Sequence, residues 1–168
     1  KELGLVSFLI RGIYKPKKKG IKVAHFQPLN QLSISFNFKN KSSLSNIKEL
    51  RVTHPYKTIH TNIVKQSLVL FLSEMLAKSI QEEAAPDANF YEYLASAFSW
   101  LDYHENVSNF HLLFLLNLTR FLGFYPDITN LNFETFDLLE GCFSETNSSK
   151  YKIKNKITNV NNLLIAAP

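Results

Sequence analysis

A chain of 168 residues with 45% apolar and 20% charged residues has the make-up of one ordinary globular domain or two small ones, and not of a disordered segment. Its net charge of +5 is unevenly spread: residues 1–60 carry twelve Lys/Arg against two Asp/Glu, residues 61–149 three against twelve, and residues 150–168 four Lys and no acid. One cysteine excludes an intramolecular disulfide and, with no signal-like start, suits a reducing cytoplasm.

The chain starts at Lys1, directly in a strand-like segment, and is read as part of a longer protein. Leu3, Leu5, Ser7 and Leu9 lead into the run VSFLIRGI, which predicts a half-buried strand. The segment RGIYKPKKKGIK follows, with Arg11, Lys15, Lys17, Lys18, Lys19 and Lys22 around Pro16 and Gly20 and no acid among them. In LNQLSISFNF, Leu32, Ile34, Phe36 and Phe38 alternate with Gln31, Ser33, Ser35 and Asn37. KNKSSLSN reads as a turn, and in IKELRVTHP the apolar Ile47, Leu50 and Val52 alternate imperfectly before Pro55. Three or four antiparallel strands with polar turns predict a small barrel or sandwich.

After Tyr56 the period becomes helical. Thr61 is the expected cap of a helix with apolar Ile63, Val64, Leu68, Phe71, Leu72, Met75, Leu76 and Ile80. Pro86 and Asp87 open a second, with Phe90, Tyr91, Leu94, Ala97, Phe98 and Leu101 as its stripe. A third is expected over 108–124, apolar nearly all round as the centre of a bundle, and ended by Gly123 and Pro126. At about sixteen residues, with Asn117 and Arg120 inside, it falls short of the roughly twenty a membrane span needs. FETFDLLEGCF is expected as a short fourth helix and NKITNVNNLLIAAP as a fifth.

No pattern for catalysis emerges. The five histidines have no metal-ligand spacing, no nucleophile elbow or Gly-rich phosphate loop occurs, and Glu82, Glu83, Asp102 and Glu105 read as helix-end or solvated carboxylates. The expectation is a protein that is not an enzyme.

Several local sequences, in this order, resemble the RecO family of bacterial recombination mediators in its Bacteroidetes form. They are Glu2-Leu-Gly-Leu-Val-Ser-Phe-Leu-Ile-Arg-Gly12, Phe26-Gln-Pro-Leu29, Lys48-Glu49-Leu50, Phe110-His-Leu-Leu-Phe-Leu-Leu116, Arg120-Phe-Leu-Gly-Phe-Tyr-Pro126 and Phe136-Asp-Leu-Leu-Glu-Gly-Cys-Phe143. The resemblance implies an α+β protein: an N-terminal OB-fold barrel over 1–57, whose first strand is expected to be absent here, and an all-α helical domain over 58–168. It implies binding of single- and double-stranded DNA, strand annealing, and work with RecR and the acidic tail of single-stranded-DNA-binding protein in loading RecA, with no nucleotide. Many relatives carry a four-cysteine zinc site; Cys142 stands alone, so no zinc and no other cofactor is expected.

The residues support a polyanion partner by themselves. Arg11 and the five lysines can neutralise phosphates, Tyr14 beside them is the candidate for base stacking, and Phe8, Phe26 and Phe36 are weaker candidates that also suit a core. In the acidic half Arg120 either pairs with an acid such as Glu74 or, with Lys65 and Lys78, receives a partner's carboxylates. A protein–protein adaptor whose basic loop meets an acidic segment, and an RNA-binding OB protein, remain alternatives.

Overall fold

The computed structural model describes residues 3–11, 13–14, 21–37, 44–80, 86–145 and 151–154. The class is α+β, with three helices and two small sheets distributed over two compact units, Lys1–Val107 and Ser108–Pro168.

In the first unit β1 (Gln31–Phe36) pairs antiparallel with β2 (Ile47–His54). The imperfect period of β2 has a local cause. Leu50 faces Ile34 and Val52 faces Leu32, but the register shifts between Ser35 and Phe36, so Lys48 is an extra residue and Ile47 rejoins the face of Leu50. A second shift between Gln31 and Leu32 makes Thr53 extra. Gln31 leaves the polar face as well: its Nε2 donates to the Tyr56 hydroxyl at 2.9 Å, the Ala95 carbonyl at 3.2 Å and the Ser99 hydroxyl at 3.4 Å. Burial raises the Tyr56 hydroxyl above its ordinary value, against the lowering effect of the Gln31 bond.

The expected run of antiparallel strands does not form as such, and among the described residues no barrel closes. The first segment meets the sheet through one parallel bridge, Phe8 to Ser45, where the Leu9 N–H donates to Ser45 O at 3.1 Å and the Ser45 N–H to Ser7 O at 3.4 Å. Alternation in this segment buries little, since Leu3 and Leu5 remain 38% and 39% exposed. The 3₁₀ turn Val23–Phe26 leads into a β-turn over Gln27–Asn30, closed by the Asn30 N–H on Gln27 O at 3.3 Å. Pro28 sets its first corner, and Leu29 takes the second with φ 62°, a conformation a side chain rarely adopts.

Helix α1 (Ile63–Ser79) is capped by Asn62 and not by Thr61: Asn62 Oδ1 accepts from the N–H groups of Val64 and Lys65 at 2.9 and 3.2 Å. Thr61 turns its hydroxyl back to the carbonyls of Lys57 and Thr58 instead. The buried positions of α1 are Lys65, Val69, Leu72 and Leu76, leaving Ile63 74% and Leu70 60% exposed. Helix α2 (Ala88–Tyr103) begins at Asp87, whose side chain accepts from the Phe90 N–H at 3.0 Å, and buries Phe98, Leu101 and Asp102. With Ile59 and Val107 these apolar residues form the core of the unit, each contributing about 1.5–3 kcal/mol by burial.

The second unit opens with α3 (Phe110–Phe121), which buries Phe110, Phe114 and Leu118. Gly123, at φ 82°, ends it as expected: its N–H donates to Arg120 O and that of Phe124 to Thr119 O. The expected fourth helix is a correction. Thr135–Asp137 (β3) and Cys142–Ser144 (β4) are antiparallel strands, with Lys152–Lys154 (β5) on the other side of β3. Leu138–Gly141 is only the connecting turn. Asp137 Oδ1 accepts from the N–H of Leu139 at 3.0 Å, and Gly141, at φ 65°, closes the turn on Asp137 O at 2.9 Å. One helix-like turn with Asp at its start and Gly at its end thus imitates a helical period. The expected fifth helix lies outside the described residues.

Candidate nucleic-acid interface

The candidate surface grows from the segment after Phe8. The ring of Phe8 packs edge-on against Phe36, centroids 4.8 Å apart, so these two aromatics serve the packing of the sheet, while Phe26 in the 3₁₀ turn is half-buried. Arg11 is exposed, Tyr14 is 86% exposed, and Lys22, before the 3₁₀ turn, is exposed. Lys15, Lys17, Lys18 and Lys19 lie outside the described residues. Beneath the surface Leu9, Ile10, Arg11, Ile13, Ile21, Asn46 and Ile47 line an open cavity of about 200 Å³. Tyr14 is therefore the exposed aromatic of this segment, between Arg11 and Lys22 in sequence, and its chain neighbour Ile13 lines the recess.

The acidic-half cations have different settings. Lys65 is 3% exposed, and its Nζ donates to the Thr58 hydroxyl at 2.6 Å and the Asp102 carbonyl at 2.8 Å. Lys78 pairs with Glu74 at 2.7 Å, one turn away on the exposed face of α1. Arg120 donates to the Tyr125 hydroxyl at 3.1 Å and stacks its guanidinium 4.4 Å from the Tyr125 ring centre. Glu74, proposed from sequence as a structural partner of Arg120, is engaged by Lys78.

The group that sequence reasoning misplaced is Asp102. It is buried and not solvated, at 8% exposure. Its carboxylate accepts from the N–H groups of Lys57 at 2.9 Å, Thr58 at 2.7 Å and Ile59 at 2.9 Å, and from the Thr58 hydroxyl at 3.1 Å. Burial by itself would raise its pKa, but the backbone bonds from Lys57, Thr58 and Ile59 and the Thr58 hydroxyl together outweigh burial and hold it at about 2. Burial also lowers His60 below its ordinary value, partly offset by Asp102, while His60 Nε2 lies 2.9 Å from Asn30 Oδ1.

A signal for this cluster did exist in the sequence. Asp102 stands in the last turn of its helix and Lys65 in the first turn of its own, the ends that the helix dipole makes unfavourable for each charge. Their pairing removes the anomaly. Lys65 supplies a cation and a donor to the unsatisfied C-terminal carbonyl of Asp102, and Asp102 supplies an anion to the N–H groups that precede α1.

Among the described residues no group of three or more His, Cys, Asp or Glu could hold a metal ion, and Cys142 is half-buried. No helix among them is long and apolar enough to cross a membrane.

A basic β segment is followed in the chain by acidic helices. Comparison with known proteins identifies the family. Residues 60–154 match the family model "Recombination protein O C terminal". The chain is 45% identical over 141 residues to the DNA repair protein RecO of Flavobacterium johnsoniae, covering 84% of this chain and 59% of that protein. It is 41% identical over 169 residues to the DNA repair protein RecO of Flavobacterium psychrophilum, covering 94% of this chain and 71% of the relative. Against that of Phocaeicola vulgatus the identity is 35% over 144 residues, 85% of this chain and 56% of the relative. No solved structure matches. The chain belongs to the RecO family of DNA repair proteins, and spans between 56% and 71% of the length of these three relatives.

Proposed function

We propose that the chain is a non-catalytic recombination mediator of the cytoplasm that binds single- and double-stranded DNA through its basic N-terminal segment. In this reading β1, β2 and the bridged segment around Phe8 belong to an OB-type barrel. Phosphates meet Arg11, Lys15, Lys17, Lys18, Lys19 and Lys22, and bases stack on Tyr14. The acidic helical part keeps DNA on the β side by repulsion and receives RecR and the acidic tail of single-stranded-DNA-binding protein, with Arg120 and Lys78 as the accessible cations. Strand annealing and RecA loading follow from holding DNA and these partners together.

The observation that carries the reading is the segregation of charge, twelve Lys/Arg against two acids in residues 1–60 and three against twelve in residues 61–149. It is supported by the exposure of Arg11, Tyr14 and Lys22, and the relatives are named as DNA repair proteins. The test is anisotropy of a labelled single strand across a salt series. About four to six phosphate contacts give a slope of roughly −3 to −4 in log affinity against log salt. Lys17→Glu with Lys18→Glu should weaken binding about tenfold or more with an unchanged melting curve; unchanged affinity sinks the assignment.

The cavity beside Arg11 favours a second reading, an adaptor that takes an acidic peptide with an apolar residue seated between Ile10, Ile13, Ile21 and Ile47. Competition decides: an acidic peptide that binds where DNA does not makes the adaptor the better account.

A further inference from the structure

The turn that follows the basic segment is held by polar bonds and not by burial. The 3₁₀ turn Val23–Phe26 buries none of its residues, and Leu29, at φ 62°, takes a conformation that a side chain resists. Asn30 supplies the fixing bonds. Its Nδ2 donates to the carbonyls of Ala24 at 3.2 Å and His25 at 3.1 Å. Carbonyls only accept, so the amide has one orientation, with Oδ1 turned to His60 Nε2 at 2.9 Å. The imidazole therefore donates from Nε2. His60 is anchored in turn: its carbonyl accepts from the Gln66 side chain on α1, and its ring packs against that of Tyr56 with centroids 6.0 Å apart.

The same turn presents Lys22, which is exposed. The Lys22 N–H donates to His25 Nδ1 at 3.2 Å and the His25 N–H to Lys22 O at 3.1 Å. The residue whose carbonyl Asn30 holds thus also holds the backbone of Lys22. A line of bonds runs from His60 through Asn30 and His25 to Lys22. We infer that Asn30, oriented by His60, is a positioning residue for DNA binding: it fixes the backbone from which Lys22 meets a phosphate. This rests on the DNA reading above. A cation on a fixed backbone loses less freedom on contact than one on a loose turn, so the latch acts on affinity by ordering the turn in advance.

The test is anisotropy of the full chain with labelled oligothymidylate across a salt series, for the wild type, Lys22→Ala, Asn30→Ala, His60→Leu and His60→Gln. One lost phosphate contact on a single strand lowers the salt slope by about 0.7 and, at about 0.1 M salt, the affinity about fivefold. Lys22→Ala sets that scale, and Asn30→Ala and His60→Leu should approach it with a loss of about two- to fivefold and a shallower slope. The amide of His60→Gln can donate from nearly the place of Nε2, so this variant should bind within about twofold of wild type. In the Lys22→Ala background Asn30→Ala should have no further effect. A turn that served the fold alone would move neither the slope nor this dependence on Lys22. Wild-type affinity and slope in Asn30→Ala, an additive loss in the double variant, or equal losses in His60→Gln and His60→Leu overturn the inference and leave the DNA reading standing. If Asn30→Ala does not melt cooperatively, the pair of His60 variants decides between the same outcomes. No binding by the wild type at low salt overturns the DNA reading and this inference with it.

Discussion

The first compact unit contains two cation-bearing regions with opposite fates. In the region joining residues 57–59, Lys65 and Asp102, charges are buried and their partners are named atoms: Lys65 bonds the Thr58 hydroxyl and the Asp102 carbonyl, and the Asp102 carboxylate takes three backbone N–H groups. In the segment Arg11–Lys22 the described cations, Arg11 and Lys22, lie on the surface with Tyr14. What separates them is the supply of acceptors. Two helix ends converge near Thr58 and present unsatisfied backbone groups, which turn a lysine inward; the basic segment contains no acid in its sequence, and its described cations, Arg11 and Lys22, are exposed. The first region should therefore govern stability, and the second binding.

The hardest break of this contrast is Asp102→Ala. It strands the N–H groups of Lys57, Thr58 and Ile59 in a site where the carboxylate was 8% exposed, and leaves Lys65 beside them. The expected loss is about 3–4 kcal/mol, a fall in melting temperature of roughly 10 °C. DNA affinity of the folded fraction should stay within about twofold if the two regions are separate in function. A melting temperature within about 2 °C of wild type would refute the structural role.

Acid tests the same carboxylate without mutation. Its pKa falls from 3.8 to about 2 on folding, so the folded state prefers the charged form. That stability is fully present above pH 3.8 and is lost as pH falls through the interval down to about 2, with a magnitude of the order of 2 kcal/mol. His60 acts with the same sign at higher pH: its lowered value makes the neutral ring the folded form, so its contribution is present above 6.5 and declines below it. Melting curves from pH 7 to pH 2 should show a shallow fall near the His60 interval and a steeper one between pH 3.8 and about 2, and Asp102→Asn should remove the steeper part.

These two regions also mark what the sequence disclosed. The α+β class, helices α1 to α3, the Gly123 stop and the alternation of Leu32, Ile34 and Phe36 were legible because each rests on local period or a single backbone preference. The family resemblance was legible too, through short ordered motifs that span both compact units. Asp102 and Lys65 were misplaced because burial there depends on residues some forty positions apart, Lys57–Ile59 against Asp102, and no window of sequence contains both. Their only trace was charge at the wrong helix ends. The turn at Leu138–Gly141 failed differently: a four-residue turn and a helical turn share one pattern, and only the pairing of Phe136 with Phe143 separates them.

Lys65→Met sharpens the comparison with a smaller effect. The thioether keeps much of the buried stem volume and loses the bonds at 2.6 and 2.8 Å, while the Thr58 hydroxyl still reaches Asp102 O at 2.5 Å. About 1 kcal/mol of stability should be lost, less than half the effect of Asp102→Ala. A native melting curve with weakened binding of an acidic partner peptide would instead return Lys65 to the partner surface.

Lys78→Ala should change stability least. Its pair with Glu74 is well formed at 2.7 Å, with the acid one turn N-terminal to the base, but the side chains are 72% and 67% exposed. Water and salt screen the attraction and holding two long side chains costs entropy, so the expected loss is below about 0.5 kcal/mol and should vanish in high salt. This near-silence makes Lys78 useful. Because the substitution leaves the fold alone, a fall in affinity for an acidic peptide can be assigned to the lost charge. Charge reversal at Glu74 should move affinity the other way if that face receives the peptide. If neither change alters peptide binding at low salt, the exposed face of α1 is not the receiving surface, and Arg120 with its Tyr125 stack becomes the position to alter next.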